Sequence, residues 1–202
     1  MGADRMARKK KETRKKIINV AMGLIQKHGF DNTTMEQIAE ETDIARKTLY
    51  NHFPVKEAIV DEYVKDISKG LAQKNFETVQ SMPDTRSRLL AFLSNVYEWV
   101  DINPEITRIC LGYRFKKICQ GSGYSDGETG TQRMMAEIVM QGQQAGEIRQ
   151  DIPMKLLVTQ LDILRGTIVS DWLSGASQLE LSQGISKIVD LFMDGAIDRE
   201  GK

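Results

Sequence analysis

Residues 33–56 read TTMEQIAEETDIARKTLYNHFPVK, two short amphipathic segments separated by three residues that break the pattern. Thr34 stands directly before the run MEQIAEE with Gln37 three positions on. That is the spacing of a capping box, in which side chains satisfy the unpaired N–H groups of a helix start. A helix is therefore predicted from about Met35, with Met35, Ile38 and Ala39 facing inward, and the small Ala39 lets a second helix cross closely. Thr42, Asp43 and Ile44 interrupt it. Asp is among the few non-glycine residues that accept the left-handed backbone such a turn often needs, and Ile44 is placed to plug the corner. A second helix over residues 45–53 buries Leu49 and Phe53, four apart, and turns Arg46, Lys47, Thr48, Tyr50 and Asn51 largely outward. Two cations, two hydroxyls and an amide on one side of a short helix suit contact with DNA.

The same segment resembles the helix-turn-helix of the TetR family of transcriptional regulators, with T-L-Y-x-H-F at Thr48 to Phe53 followed by Lys56 and Glu57. The resemblance is close over residues 13–60 and elsewhere rests on length and helical character. Two positions depart from it: the family commonly has Gly where Asp43 stands and a small or imino residue where Lys47 stands. Membership implies a dimeric, ligand-responsive regulator, most often a repressor, released from a palindromic double-stranded DNA operator by a small-molecule effector. It also implies that Arg46 and Lys47 read base edges, guanine being the natural partner of Arg46. Thr34, Thr48, Tyr50, Asn51, His52 and Lys56 then grip phosphates or buttress that grip, with structural packing the alternative for His52.

Charge supports the reading. Residues 1–16 hold eight Lys or Arg against Asp4 and Glu12, a net of +6 in a chain whose total is zero. A block of this kind is ordinarily a solvated, mobile tail. Beside a helix-turn-helix it can neutralise phosphates or enter the adjoining minor groove, adding affinity that falls steeply with salt. After it, Ile17, Ala21, Leu24, Ile25 and Phe30 outline a supporting first helix that stops at Gly29, with Lys27 and His28 in its last turn. His28 is read as a dipole-matched surface residue.

At 202 residues the chain far exceeds a three-helix reading unit, and 41% hydrophobic with 28% charged residues is ordinary for a globular protein. No apolar run reaches the ~20 residues needed to span a bilayer, and the basic start leads into an amphipathic pattern unlike a signal peptide. A cytoplasmic location without membrane partners is expected. Cys110 and Cys119 fall on opposite faces of one predicted helix, so free thiols are the expectation.

Beyond Pro54 the pattern is helical throughout: 54–80, 84–101, 104–119, 131–145, 153–175 and 179–197. The glycine-rich residues 120–130 lack the context of a phosphate-binding loop and read as a connector. The fold class is thus all-α, with an N-terminal helix-turn-helix domain and basic arm over residues 1–56 and a helical ligand-binding and dimerisation domain over 57–202. Trp99, Ile109, Tyr113, Met134, Met135 and Ile138 supply apolar area suited to a hydrophobic or amphipathic effector, although plain core is the alternative for each. Arg165 is among the charges placed to orient a polar end of such a ligand. Leu161, Ile168, Trp172, Ile185, Val189 and Phe192 are assigned to the interface of a homodimer built from the last two helices, with Gly166 and Ala176 allowing close approach. Pairing would hold two recognition helices about 34–36 Å apart, or a multiple of that, on a palindromic site.

No cofactor, metal site or catalytic residue is expected. The two histidines, His28 and His52, lie in the DNA-reading part, and neither a metal-spaced His/Cys/carboxylate cluster nor a serine elbow occurs. A purely architectural DNA-binding protein would not need some 140 further residues of amphipathic helix.

Overall fold

The computed structural model describes residues 2–120 and 129–196, and these form nine α-helices. In chain order they are α1 (Gly2–His28), α2 (Met35–Thr42), α3 (Arg46–His52), α4 (Lys56–Gln80), α5 (Thr85–Ile102), α6 (Pro104–Cys119), α7 (Gly130–Gln144), α8 (Met154–Ser174) and α9 (Leu181–Ala196). Most of the connector expected at residues 120–130 lies outside the described residues. The basic arm is not separate from the first helix: α1 starts at Gly2 and runs unbroken to Gly29, whose positive φ of 84° ends it. No described helix is long and apolar enough to cross a membrane.

The chain divides into two compact units, residues 1–64 and 65–202, with the division inside α4. In the first unit, Ile17 and Ala21 of α1, Ile38 and Ala39 of α2, Leu49 and Phe53 around α3 and Ile59 of α4 close into one apolar cluster, each at most 2% exposed. Isolated helices as short as α2 and α3, with 8 and 7 residues, are unstable in water, so this shared core is what holds them.

The second unit has α5, α7, α8 and α9 around its own core, with α6 against α5 and α8. Leu89, Phe92, Met135, Ile138, Leu161 and Val189 are fully buried there. Close approach is allowed by glycine at several points, Gly130 and Gly184 among them. A Cβ on Gly130 would overlap the backbone of Ser68 on α4, and one on Gly184 would lie 2.7 Å from Ile168 on α8. Gly166, expected to allow close approach at a subunit interface, has nothing of its own chain within 4 Å of its Cβ position.

A polar thread crosses this apolar unit. Thr129 and Gln132 form a capping box on α7, the Gln132 amide donates to Asp162 Oδ2 at 2.9 Å, and the Gly130 N–H donates to Ser68 Oγ at 3.0 Å. Arg165, one turn along α8, donates to Asp162 Oδ1 from Nε and Nη2 at 3.0 and 2.6 Å, and Tyr97 donates to the Arg165 carbonyl at 3.3 Å. Burial pushes the Tyr97 phenol well above its ordinary pKa and keeps it a neutral donor.

Candidate nucleic-acid interface

The turn is built as its residues dictate. The Gln37 N–H donates to Thr34 Oγ1 at 3.1 Å and the Thr34 N–H to Gln37 Oε1 at 2.8 Å, so both halves of the capping box are made. Asp43 takes the left-handed conformation at φ 57°, ψ 52°, which glycine would adopt with less strain. The Asp43 and Ile44 N–H groups close the end of α2 on the carbonyls of Glu40 and Ala39, at 3.0 and 3.1 Å. Ile44 is half-buried against the cluster, at the corner.

With Leu49 and Phe53 pinned inside, the period of α3 leaves Arg46, Lys47, Tyr50 and Asn51 exposed, while Thr48 and His52 are half-buried. Thr34 is exposed at the start of α2; its oxygen serves the cap, which leaves its O–H proton to donate. Arg46 and Lys47 sit in the first turn of α3, where the helix dipole disfavours cations. Glu36 of α2 partly compensates, its Oε1 lying 3.8 Å from Arg46 Nη1.

Two of the expected phosphate contacts are placed otherwise. Lys56 turns back into the protein: its ammonium donates to the carbonyls of Phe30 and Thr33 and lies 4.0 Å from the centroid of the Phe30 ring. It fastens the loop before α2 to the start of α4, because carbonyls left over at a loop need a donor. His52 has its Nδ1 buried without a partner, and desolvation, reinforced by the charges of Arg14 and Lys10, lowers its pKa. A neutral, half-buried imidazole is a packing group rather than a cation for phosphate.

Arg14 and Lys16, counted above with the arm, also turn inward. Lys16 Nζ donates to the Thr42 carbonyl at 2.7 Å, capping α2, and Arg14 Nη1 donates to the His52 carbonyl at 2.8 Å, capping α3. A signal for Arg14 was present: it stands four residues before Ile18, seven before Ala21 and eleven before Ile25, on the buried stripe of α1. Replacing Lys56 by Met should destabilise the first unit by about 1–3 kcal/mol, the range for hydrogen bonds from a charged donor. It should leave the salt dependence of DNA binding as in the parent. Urea unfolding followed by circular dichroism checks the first expectation, and mobility shifts at several salt concentrations the second.

In the second unit the residues assigned to ligand and partner divide by burial. Met134, Met135 and Ile138 are 5%, 0% and 0% exposed within the core of α7, while Trp99, Ile109 and Tyr113 are half-buried on α5 and α6. Leu161, Ile185, Val189 and Phe192 are at most 4% exposed and packed into the unit's own core. This corrects their assignment to a subunit interface: α8 and α9 each spend one apolar face internally. Ile168 and Trp172 are partly buried against the same core. Among the described residues no three His, Cys, Asp or Glu side chains are grouped to hold a metal.

Residues 17–63 match the family model of the bacterial regulatory proteins, tetR family. The HTH-type transcriptional repressor KstR2 of Rhodococcus jostii is 27% identical over 151 residues, 71% of each chain. Among solved structures, FadR of Thermus thermophilus, a TetR-family repressor in complex with lauroyl-CoA, superposes with a TM-score of 0.76 at 20% identity, covering 93% of this chain and 97% of that one. The regulator FadR of Bacillus subtilis, in complex with stearoyl-CoA, gives 0.61 at 17% identity, covering 89% and 97%. Residues 17–63, with the helix-turn-helix assembled around Leu49 and Phe53, are thus similar to the DNA-binding part of the tetR family of bacterial regulatory proteins, and the helical unit that follows shares its fold with the solved TetR-family structures.

Proposed function

We propose that this chain is a dimeric repressor that leaves a palindromic operator when an amphipathic effector, an acyl-CoA thioester, enters its helical unit. The observation that carries the DNA half is the exposed set Arg46, Lys47, Tyr50 and Asn51 on a helix whose opposite side is locked in the core. Arg46 reads guanine, Lys47 a neighbouring base edge, and Thr34, Thr48, Tyr50 and Asn51 orient the reading head on phosphates. Arg46→Ala should cost about 1–3 kcal/mol on the duplex that the full chain enriches from a random-sequence pool, and little on random duplex. Equal losses on both would remove Arg46 from base reading.

Dimerisation is supported by the outer face of α8. Leu156, Thr159, Gln160, Ile163, Gly166, Thr167, Ser170 and Ser174 share that face and include no charge. Leu156 and Ile163 are each 49% exposed. Thr159 and Thr167 donate their hydroxyls to the carbonyls of Lys155 and Ile163, so they present methyl groups outward. With Leu191 of α9, 61% exposed, this face suits a second copy of the chain. Ile163→Glu should turn dimer into monomer in sedimentation experiments and abolish operator binding, since two half-sites must be held at once.

The effector class is supported by the acyl-CoA complexes of the two similar FadR proteins and by the half-buried Trp99 on α5 and Ile109 and Tyr113 on α6. Helix α4, unbroken from Lys56 to Gln80, is the covalent route by which a ligand-bound helical unit biases the reading head. The ligand need only bind the non-operator geometry more tightly. Titration of the operator complex with lauroyl-CoA should release DNA; binding without release, or no binding across chain lengths, overturns this part.

A further inference from the structure

Helix α3 does not fix its own attitude. It has seven residues, and its N-cap, Ala45, makes no side-chain hydrogen bond. Its far end is held by one planar group from α1. The Arg14 guanidinium donates to the His52 carbonyl at 2.8 Å and to Glu62 Oε2 on α4 at 3.1 Å, and its carbon lies 4.0 Å from the centroid of the Phe53 ring. Both members of the ion pair are partly sheltered, their side chains 34% and 26% exposed. Two in-plane acceptors plus an aromatic face require a guanidinium; an ammonium can supply the charge but not the fork and the stack together.

We propose that Arg14 is a positioning residue for DNA recognition, setting the tilt of α3 through its carbonyl end, and not one of the arm cations that neutralise phosphate. This rests on the reading of α3 as the helix that meets DNA. The His52 carbonyl belongs to the last turn of α3, where backbone acceptors lack partners within the helix, so Arg14 meets a need that the sequence of α3 leaves open. Glu62 holds the guanidinium in place from the other side and is part of the same device.

The two roles predict opposite signs for Glu62→Gln. Were Arg14 a phosphate contact, removing its competing carboxylate would raise DNA affinity. As a positioning residue it loses its anchor, and affinity for the enriched duplex should fall about ten-fold, the scale of one charge-assisted hydrogen bond. Arg14→Lys, which keeps the charge, should fall similarly. Arg14→Gln should lower affinity while the slope of log K against log salt stays at the parent value. Loss of a phosphate contact would lessen that slope by about 0.9. Lys15→Gln, at the exposed neighbour, is the comparison for a true arm cation.

Amide hydrogen exchange on the full chain gives a reading independent of any DNA. Arg14→Lys and Glu62→Gln should each speed exchange at Tyr50 to Phe53 and leave α5 to α9 as they were. A gain of affinity in Glu62→Gln, a lessened salt slope in Arg14→Gln, or unchanged exchange at α3 overturns the proposal. If no duplex is enriched by the parent chain, the DNA reading fails, and the exchange result still decides whether Arg14 holds α3.

Discussion

Asp162→Ala should destabilise the helical unit by about 3–5 kcal/mol, because it breaks a buried ion pair by removing one member. The Asp162 and Arg165 side chains are 7% and 14% exposed, and the carboxylate accepts both guanidinium bonds on one oxygen and the Gln132 amide on the other. Removing it takes from Arg165 the carboxylate that accepts both its guanidinium bonds and frees Gln132, whose other end caps α7. For a chain of this size the melting temperature should drop on the order of 10 °C. Replacing the pair together, Asp162→Leu with Arg165→Met, should be much milder, since a buried ion pair gains little over apolar groups of like volume. Thermal unfolding of the three proteins makes the comparison. A single change that melts within a degree or two of the parent would show that the pair is solvated.

Phe53→Ala should have an effect of similar size in the other unit. Phe53 is 1% exposed and among the largest fully buried side chains, and phenylalanine-to-alanine changes in cores cost about 3–5 kcal/mol. It also removes the ring on which Arg14 rests. A unit of some 64 residues has a small core and only a few kcal/mol in hand, so the reading head should be largely unfolded while α5 to α9 persist. Operator binding should be lost with most of the helical signal retained. Phe53→Leu, which keeps much of the volume, should cost under about 1.5 kcal/mol and keep binding.

What the sequence made legible was local. The start of α2 followed from Thr34 and Gln37, whose two reciprocal hydrogen bonds are both made. The exposed faces of Arg46, Lys47, Tyr50 and Asn51 followed from the four-residue interval between Leu49 and Phe53. These interactions span a turn or less, so spacing alone decides them. The inward cations were not read, because Lys56 meets Phe30 and Arg14 meets His52 across 26 and 38 residues of chain. Composition registers such a residue as charge without saying where its side chain ends. Helix α8 shows the same limit: its period marks Leu161 and Ile163 as apolar on different sides. Only the packing of α9 decides that Leu161 fills the core and Ile163 is left outside.

The two free thiols fall on opposite sides of α6 as their nine-residue interval implies, Cys110 buried and Cys119 exposed. A maleimide fluorophore should therefore label the native chain once, at the end of α6, with no engineered cysteine. That leaves a spectroscopic reporter at the C-terminal end of α6, through which ligands can be screened by emission change before any operator is known.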